Sequence, residues 1–215
     1  MKKVYDTINQ YCVEHDLLMN GDGIVIGLSG GVDSVCLLQV LAALRNEWQL
    51  RLVCVHVHHG IRGTAADEDA AFAQRLAAKY NISFRLYEMD IPQLAKEQGL
   101  SEEEAGRNYR YRCFEEVRKE LNFDKIAVAH HRDDQAETVL WQILRGSGLR
   151  GVCGMRAGRA NIIRPLLCLD RQQIEQIVRG NGDGWREDAT NREEKYTRNK
   201  IRNRVFPYIE QEIQP

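Results

Sequence analysis

Short apolar, β-branched runs alternate along this chain with longer stretches of helical period, and that alternation restricts the fold more than any other feature. The runs are GIVIGLS, LRLVCVHVHHG, ISFRLYEMD, DKIAVAHH and NIIRPLL. The first four are followed by VDSVCLLQVLAALRNE, AADEDAAFAQRLAAKY, EEEAGRNYRYRCFEEVRKEL and DDQAETVLWQILR, with apolar residues three and four apart. Strand and helix in regular turn predict an α/β fold: a doubly wound, mainly parallel five-stranded sheet with helices on both faces. VIGL and IAVA, apolar throughout, suit strands buried on both sides. A chain of 215 residues buries enough surface for one such domain without metals or disulfides.

After the fifth run the character changes. LDRQQIEQIVRGNGDGW reads as a short helix ending at Gly180, then a glycine-rich turn. REDATNREEKYTRNKIRNRVFPYIEQEIQP is densely charged and closes in helical period. The expected division is an α/β domain over 1–185 and a charged helical linker over 186–215, the start of a further C-terminal region. A formal net charge of −1 provides no whole-chain cationic excess, so any RNA must be held by local patches. The six cysteines (Cys12, Cys36, Cys54, Cys113, Cys153, Cys168) include no C-x-x-C pair. That usage suits a reducing compartment and argues against a zinc ribbon or an iron–sulfur cluster. MKKVYDTINQYCVEHDLL has no continuous apolar core, so neither a signal peptide nor a membrane span is expected, and the chain reads as cytoplasmic.

Two strand-to-helix turns carry chemistry. In the first, Ser29-Gly30-Gly31-Val32-Asp33-Ser34, the glycines let the backbone approach a phosphate and the next helix adds free N–H groups and its positive end. The lysine of a Walker A loop and the G-x-G-x-x-G of a dinucleotide fold are both absent. The other reading of this turn is a tight bend whose Ser34 or Asp33 caps the helix. The second, AHHRDDQAET, puts His130 at a strand end. Asp133 and Glu137 lie four apart, and Asp134 and Glu137 three apart, on one helical face. Such carboxylates hold magnesium or an amine, or complement a helix dipole.

SGGVDS resembles the pyrophosphate-binding loop of the N-type ATP pyrophosphatases, or PP-loop enzymes. Within that superfamily, HVHHGIRGTAADEDAAF, EEAGRNYRYRCF, AHHRDDQAETVLWQILRGSGLRGVCGM, IIRPLL and DATNREEKYTRNKIR are similar to successive blocks of the tRNA(Ile)-lysidine synthetase family. The resemblance runs from Gly23 to Arg204. It implies ATP as substrate, Mg²⁺ as cofactor, and tRNA(Ile) with a CAU anticodon and free L-lysine as partners. It leaves a homodimer open. It implies that the first and fourth strands lie side by side, with the two turns as opposite lips of one crevice.

Residue by residue, the resemblance implies that Ser29, Gly30, Gly31, Val32, Asp33 and Ser34 hold the ATP phosphates, and that His58 and His59 line the nucleotide pocket. Asp33 and Asp133 would hold Mg²⁺. Asp134, Glu137 and His130 would bind the lysine amine and take its proton. Arg107, Arg110 and Arg202 would meet the lysine carboxylate and the adenylate phosphate; Gly106 stands where the family has alanine. A zinc pair at His56 and His58 lacks a third ligand at zinc spacing. Arg192, Lys195, Arg198, Lys200, Arg202 and Arg204, with Arg145, Arg150, Arg156 and Arg159, read either as an RNA-binding surface or as a solvated charged face. The alternatives in function are another PP-loop enzyme, for tRNA thiolation or amide synthesis, and a nucleotide-binding module without catalysis.

Overall fold

A computed structural model describes residues 2–58, 64–148, 152–186 and 200–213. Strand β1 (Gly23–Gly27) divides its side chains between two cores: Ile24 and Ile26 enter one, Val25 the other. The same period-two division runs through β2 (Arg51–His58), with Cys54 against Val53, Val55 and Val57. It recurs in β4 (Lys125–Ala127), with Ala127 against Ile126. The first core is covered by α1 (Lys2–Glu14), α2 (Val32–Leu44), α3 (Thr64–Lys79) and α7 (Arg171–Gly180); the second by α4 (Ile91–Gln98) and α5 (Glu102–Glu120). Helices therefore lie on both faces, as the alternation predicts.

The sheet order is β3-β2-β1-β4-β6-β5, with β3 at Ser83–Glu88, β5 at Gly158–Arg159 and β6 at Ile162–Ile163. Neighbours are parallel except β5 and β6. All five expected strands form. The sixth, β5, is two residues inside a glycine- and arginine-rich stretch with no strand pattern of its own. Helices α1 and α4 are likewise additions to the expected set. Helix α4 is only eight residues long, and Asp90 caps it by accepting from the Gln93 N–H at 3.0 Å. From β1 the chain steps outward to β2 and β3, then returns to β4 on the other side of β1. The order reverses between β1 and β4, and a crevice opens beyond their carboxyl ends.

Helix α2 is buried nearly all round, ten of its thirteen residues, including the polar Gln39. A buried amide needs partners. Gln39 donates to Asp183 Oδ2 at 2.7 Å and accepts from Asn181 Nδ2 at 2.9 Å, while Tyr80 Oη and Lys79 Nζ also reach Asp183. This network ties the turn after α7 to α2 and α3, and the chain then runs on until the Arg186 N–H meets the Gly30 carbonyl at 2.9 Å. Burial pushes the thiols of Cys12 and Cys54 up to about 12, so they pack as small apolar groups. Among the described residues no helix is long and apolar enough to cross a membrane.

Glu115 fastens α5 to the loop before β6. It accepts from Arg118 through both oxygens at 2.8 Å and from Asn161 Nδ2 at 2.7 Å. The Arg118 guanidinium holds its pKa down to about 2. A depressed carboxylate contributes stability above its unfolded pKa, near 4.5, and loses it as pH falls toward 2. Glu115→Gln is therefore expected to cost about 1 kcal/mol at pH 7 after solvent screening. Urea unfolding across pH should show that difference shrinking below pH 4.5.

Candidate active site

The Ser29–Ser34 turn leaves β1 after the Leu28 N–H bonds the Val55 carbonyl at 2.9 Å. Gly30 has φ +92°, which a side chain would strain, with Phe72 and Arg186 nearby. Ser34 gathers the turn from inside: its Oγ accepts from the N–H groups of Ser29 (3.2 Å) and Gly30 (3.1 Å) and donates to the Gly31 carbonyl at 2.8 Å. The N-cap of α2 is Gly31, with Val32, Asp33 and Ser34 inside the helix. Neither Asp33 nor Ser34 caps it, and a glycine offers no capping side chain. The helix N-terminus therefore faces the crevice without a side-chain lid at its cap position.

Asp33 projects from the first turn of α2 toward the β4 side. Arg171 Nη1, from the first turn of α7, lies 3.0 Å from both of its oxygens, and His131 Nε2 lies 3.7 Å from Oδ1. Burial raises the Asp33 pKa, and His131 and Arg171 pull it back. Across the crevice, α6 (Arg132–Leu144) starts with a capping box. His131 Nδ1 accepts from the Asp133 N–H at 3.3 Å, and Asp134 Oδ2 accepts from the His131 N–H at 3.1 Å. Glu137, one turn on, is buried. Arg202 comes in from the C-terminal helical segment: its Nε lies 2.5 Å from Glu137 Oε1 and its Nη2 lies 3.1 Å from Asp134 Oδ1. Asp133 turns toward α7 and accepts from the Arg171 backbone N–H at 3.2 Å.

Of the expected residues, Asp33, Asp133, Asp134, Glu137 and Arg202 thus form one linked set of charges. His131 reaches Asp33, Asp133 and Asp134, while His130 lines a neighbouring cleft. There Arg164 Nε donates to His130 Nδ1 at 3.3 Å. That bond uses His130 Nδ1 as an acceptor. Arg107 lines the same cleft as His130 and stacks its guanidinium 5.1 Å from the Tyr111 ring. Arg110 sits three residues along α5 on an exposed position, close enough to contribute to the lowered pKa of buried His56. His58 closes β2 with Nε2 3.3 Å from Asp67; His59 lies outside the described residues, as do Arg150, Arg192, Lys195 and Arg198.

The sequence reading missed two members of the set. His131 caps α6 but carries no N-cap signal of the Ser, Thr, Asp or Asn kind, so only the structure identifies it. Arg171 was half legible. LDRQQ encodes the capping box in which Asp170 and Gln173 exchange bonds at 2.8 and 3.0 Å, so the helix start is readable. Its partner Asp33 is far away in sequence, and only the topology brings them together.

Asp33 and Asp133 both meet Arg171, one through the guanidinium and one through the backbone N–H. Among the described residues no three His, Cys, Asp or Glu side chains gather as a metal site. A hard cation here would take one or two carboxylates and complete its shell from phosphate and water, the way Mg²⁺ is held with a nucleotide. The donor set fits that.

A family model described as a PP-loop domain matches residues 2–209. The tRNA(Ile)-lysidine synthase of Caldanaerobacter subterraneus subsp. tengcongensis is 48% identical over 211 residues, covering 98% of this chain and 44% of the relative. That of Clostridium perfringens is 43% identical over 215 residues, covering 100% of this chain and 45% of the relative. The chain thus spans less than half the length of these curated relatives. Among solved structures, the U34-tRNA thiolase NcsA from Methanococcus maripaludis with its [4Fe-4S] cluster superposes with a TM-score of 0.75 at 18% identity, covering 98% of this chain and 73% of that one. The NH3-dependent NAD synthetase from Campylobacter jejuni gives 0.56 at 17%, covering 84% and 73%. At these identities the likeness is one of fold.

Proposed function

The chain belongs to the PP-loop family, and from that premise we propose that it carries out ATP-dependent attachment of lysine to the wobble cytidine of tRNA(Ile) with a CAU anticodon. The observation that carries this reading is the meeting, at the carboxyl ends of adjacent strands β1 and β4, of an uncapped glycine turn with the Asp33, Asp134, Glu137 and Arg202 charges. The likeness to lysidine synthases over the whole chain supports the choice of substrate.

In the first step cytosine O2 attacks the α-phosphorus of ATP. The bond to the bridging oxygen breaks and pyrophosphate leaves with its electron pair. The Ser29–Ser34 backbone and the α2 N-terminus orient and neutralise the departing phosphates. Mg²⁺, held by Asp33 with Asp133 beside it, would supply further neutralisation of phosphate charge.

In the second step the ε-amine of lysine attacks C2, the C2–O2 bond breaks, and AMP departs carrying O2. Lysine arrives as an ammonium ion and must lose a proton. Glu137 and Asp134 already hold one cation, Arg202, so the ammonium enters by taking its place. Arg202 is then released toward the adenylate phosphate, and Glu137, with Asp134, accepts the proton. His130 is oriented by the bond that Arg164 donates to its Nδ1. Arg107 and Arg110, on the neighbouring helix, pair with the anionic parts of the substrates. The same reading makes the protein cytoplasmic.

The test is mass analysis of nuclease fragments from a tRNA(Ile) transcript bearing CAU, incubated with the protein, ATP, Mg²⁺ and lysine. The expected product is a wobble-position fragment heavier by one lysine less one water. An unmodified fragment with ATP nonetheless consumed would point to a different acceptor.

A further inference from the structure

Beside His130, a cleft of about 520 Å³ is lined by four arginines, Arg107, Arg156, Arg159 and Arg164, with Thr138 and Met155. None of the four forms an ion pair with a carboxylate among the described residues. Arg164 is 8% exposed, and its partners are neutral: the Arg156 carbonyl at 2.9 Å and His130 Nδ1 at 3.3 Å. Burial lowers its pKa, and Arg107 and Arg159 add like-charge repulsion.

Cations gathered without acids are unfavourable unless an anion completes them. A single carboxylate engages one guanidinium through two bonds, so four guanidiniums exceed what an amino acid needs. They suit a ligand with repeated negative charge. Thr138 follows Glu137 on α6, so the cleft and the carboxylate site are built on the same helix.

We propose that the cleft seats phosphodiester groups of the RNA strand beside the reacting base, with Arg156, Arg159 and Arg164 as the phosphate contacts; this rests on the RNA reading above. Arg156 and Arg159 are exposed, so replacing them leaves the fold alone.

The experiment is fluorescence anisotropy of a CAU anticodon stem-loop RNA over a salt series, with Arg156→Gln, Arg159→Gln and the double variant. Each single change is expected to weaken RNA binding roughly fivefold and to reduce the salt slope by about 0.7, as for one single-strand phosphate lost. ATP affinity, measured in parallel, should stay at the wild-type value. Unchanged RNA affinity and slope, with the wild type binding normally, would overturn the cleft assignment and leave the RNA reading standing. An equal loss of ATP affinity would also overturn it, by assigning the cleft to nucleotide phosphates. No saturable binding by the wild type would bring down the RNA reading and this proposal with it.

Discussion

Asp33→Asn is expected to lower pyrophosphate release from ATP by roughly 10²–10³-fold, the scale of losing one preorganised charge contact to the transition state. The carboxylate stands in the first turn of α2, next to the glycine turn, where burial raises its pKa and His131, Arg171 and Arg202 offset that. A raised acid binds its proton more tightly folded than unfolded. Its contribution to stability is present below the unfolded pKa and is lost as pH rises through the folded one. At neutral pH the ionised Asp33 therefore works against folding, and the neutral amide removes that burden. The variant should melt no lower than wild type while losing turnover, which separates a chemical role from a structural one. Calorimetry beside a coupled pyrophosphate assay decides it. A variant that keeps wild-type turnover would remove Asp33 from the reaction.

The fold was legible because its signals are local. Strands β1 and β4 carry apolar residues on both faces, α2 is apolar over most of its length, and each declares itself locally. What escaped has weak local pattern: β5 is two residues held by its pairing with β6, and α4 is eight residues stabilised by the Asp90 cap and burial of Ile91 and Ala95. The site divides along the same line. Asp33, Asp134 and Glu137 were readable because turn and helix period put them on stated faces, and the neighbouring of β1 and β4 followed from family resemblance. The pairing of Asp33 with Arg171 was not, since it depends on α7 packing against α2. The two histidines show how fine the limit is. The family resemblance pointed to His130, while the structure turns its neighbour His131 to Asp33, Asp133 and Asp134.

Glu137→Gln should separate the two proposed steps. Glu137 is 2% exposed and meets the Arg202 guanidinium, which balances the charge of a buried carboxylate. The amide retains its shape and an acceptor oxygen but takes no proton. Pyrophosphate release, which asks nothing of Glu137, is expected to continue. Lysine transfer should fall roughly 10²–10⁴-fold, the range for loss of a general base. RNA recovered from the reaction should then carry an adenylated cytidine, heavier by AMP less one water, in place of the lysine adduct. Raising the pH should restore transfer in the variant, because free lysine then arrives as the uncharged amine and the missing acceptor matters less. Simultaneous loss of pyrophosphate release and transfer would contradict this order of events. It would mean that the Glu137–Arg202 contact is needed for the adenylating step, with Arg202 rather than the carboxylate as the group that matters.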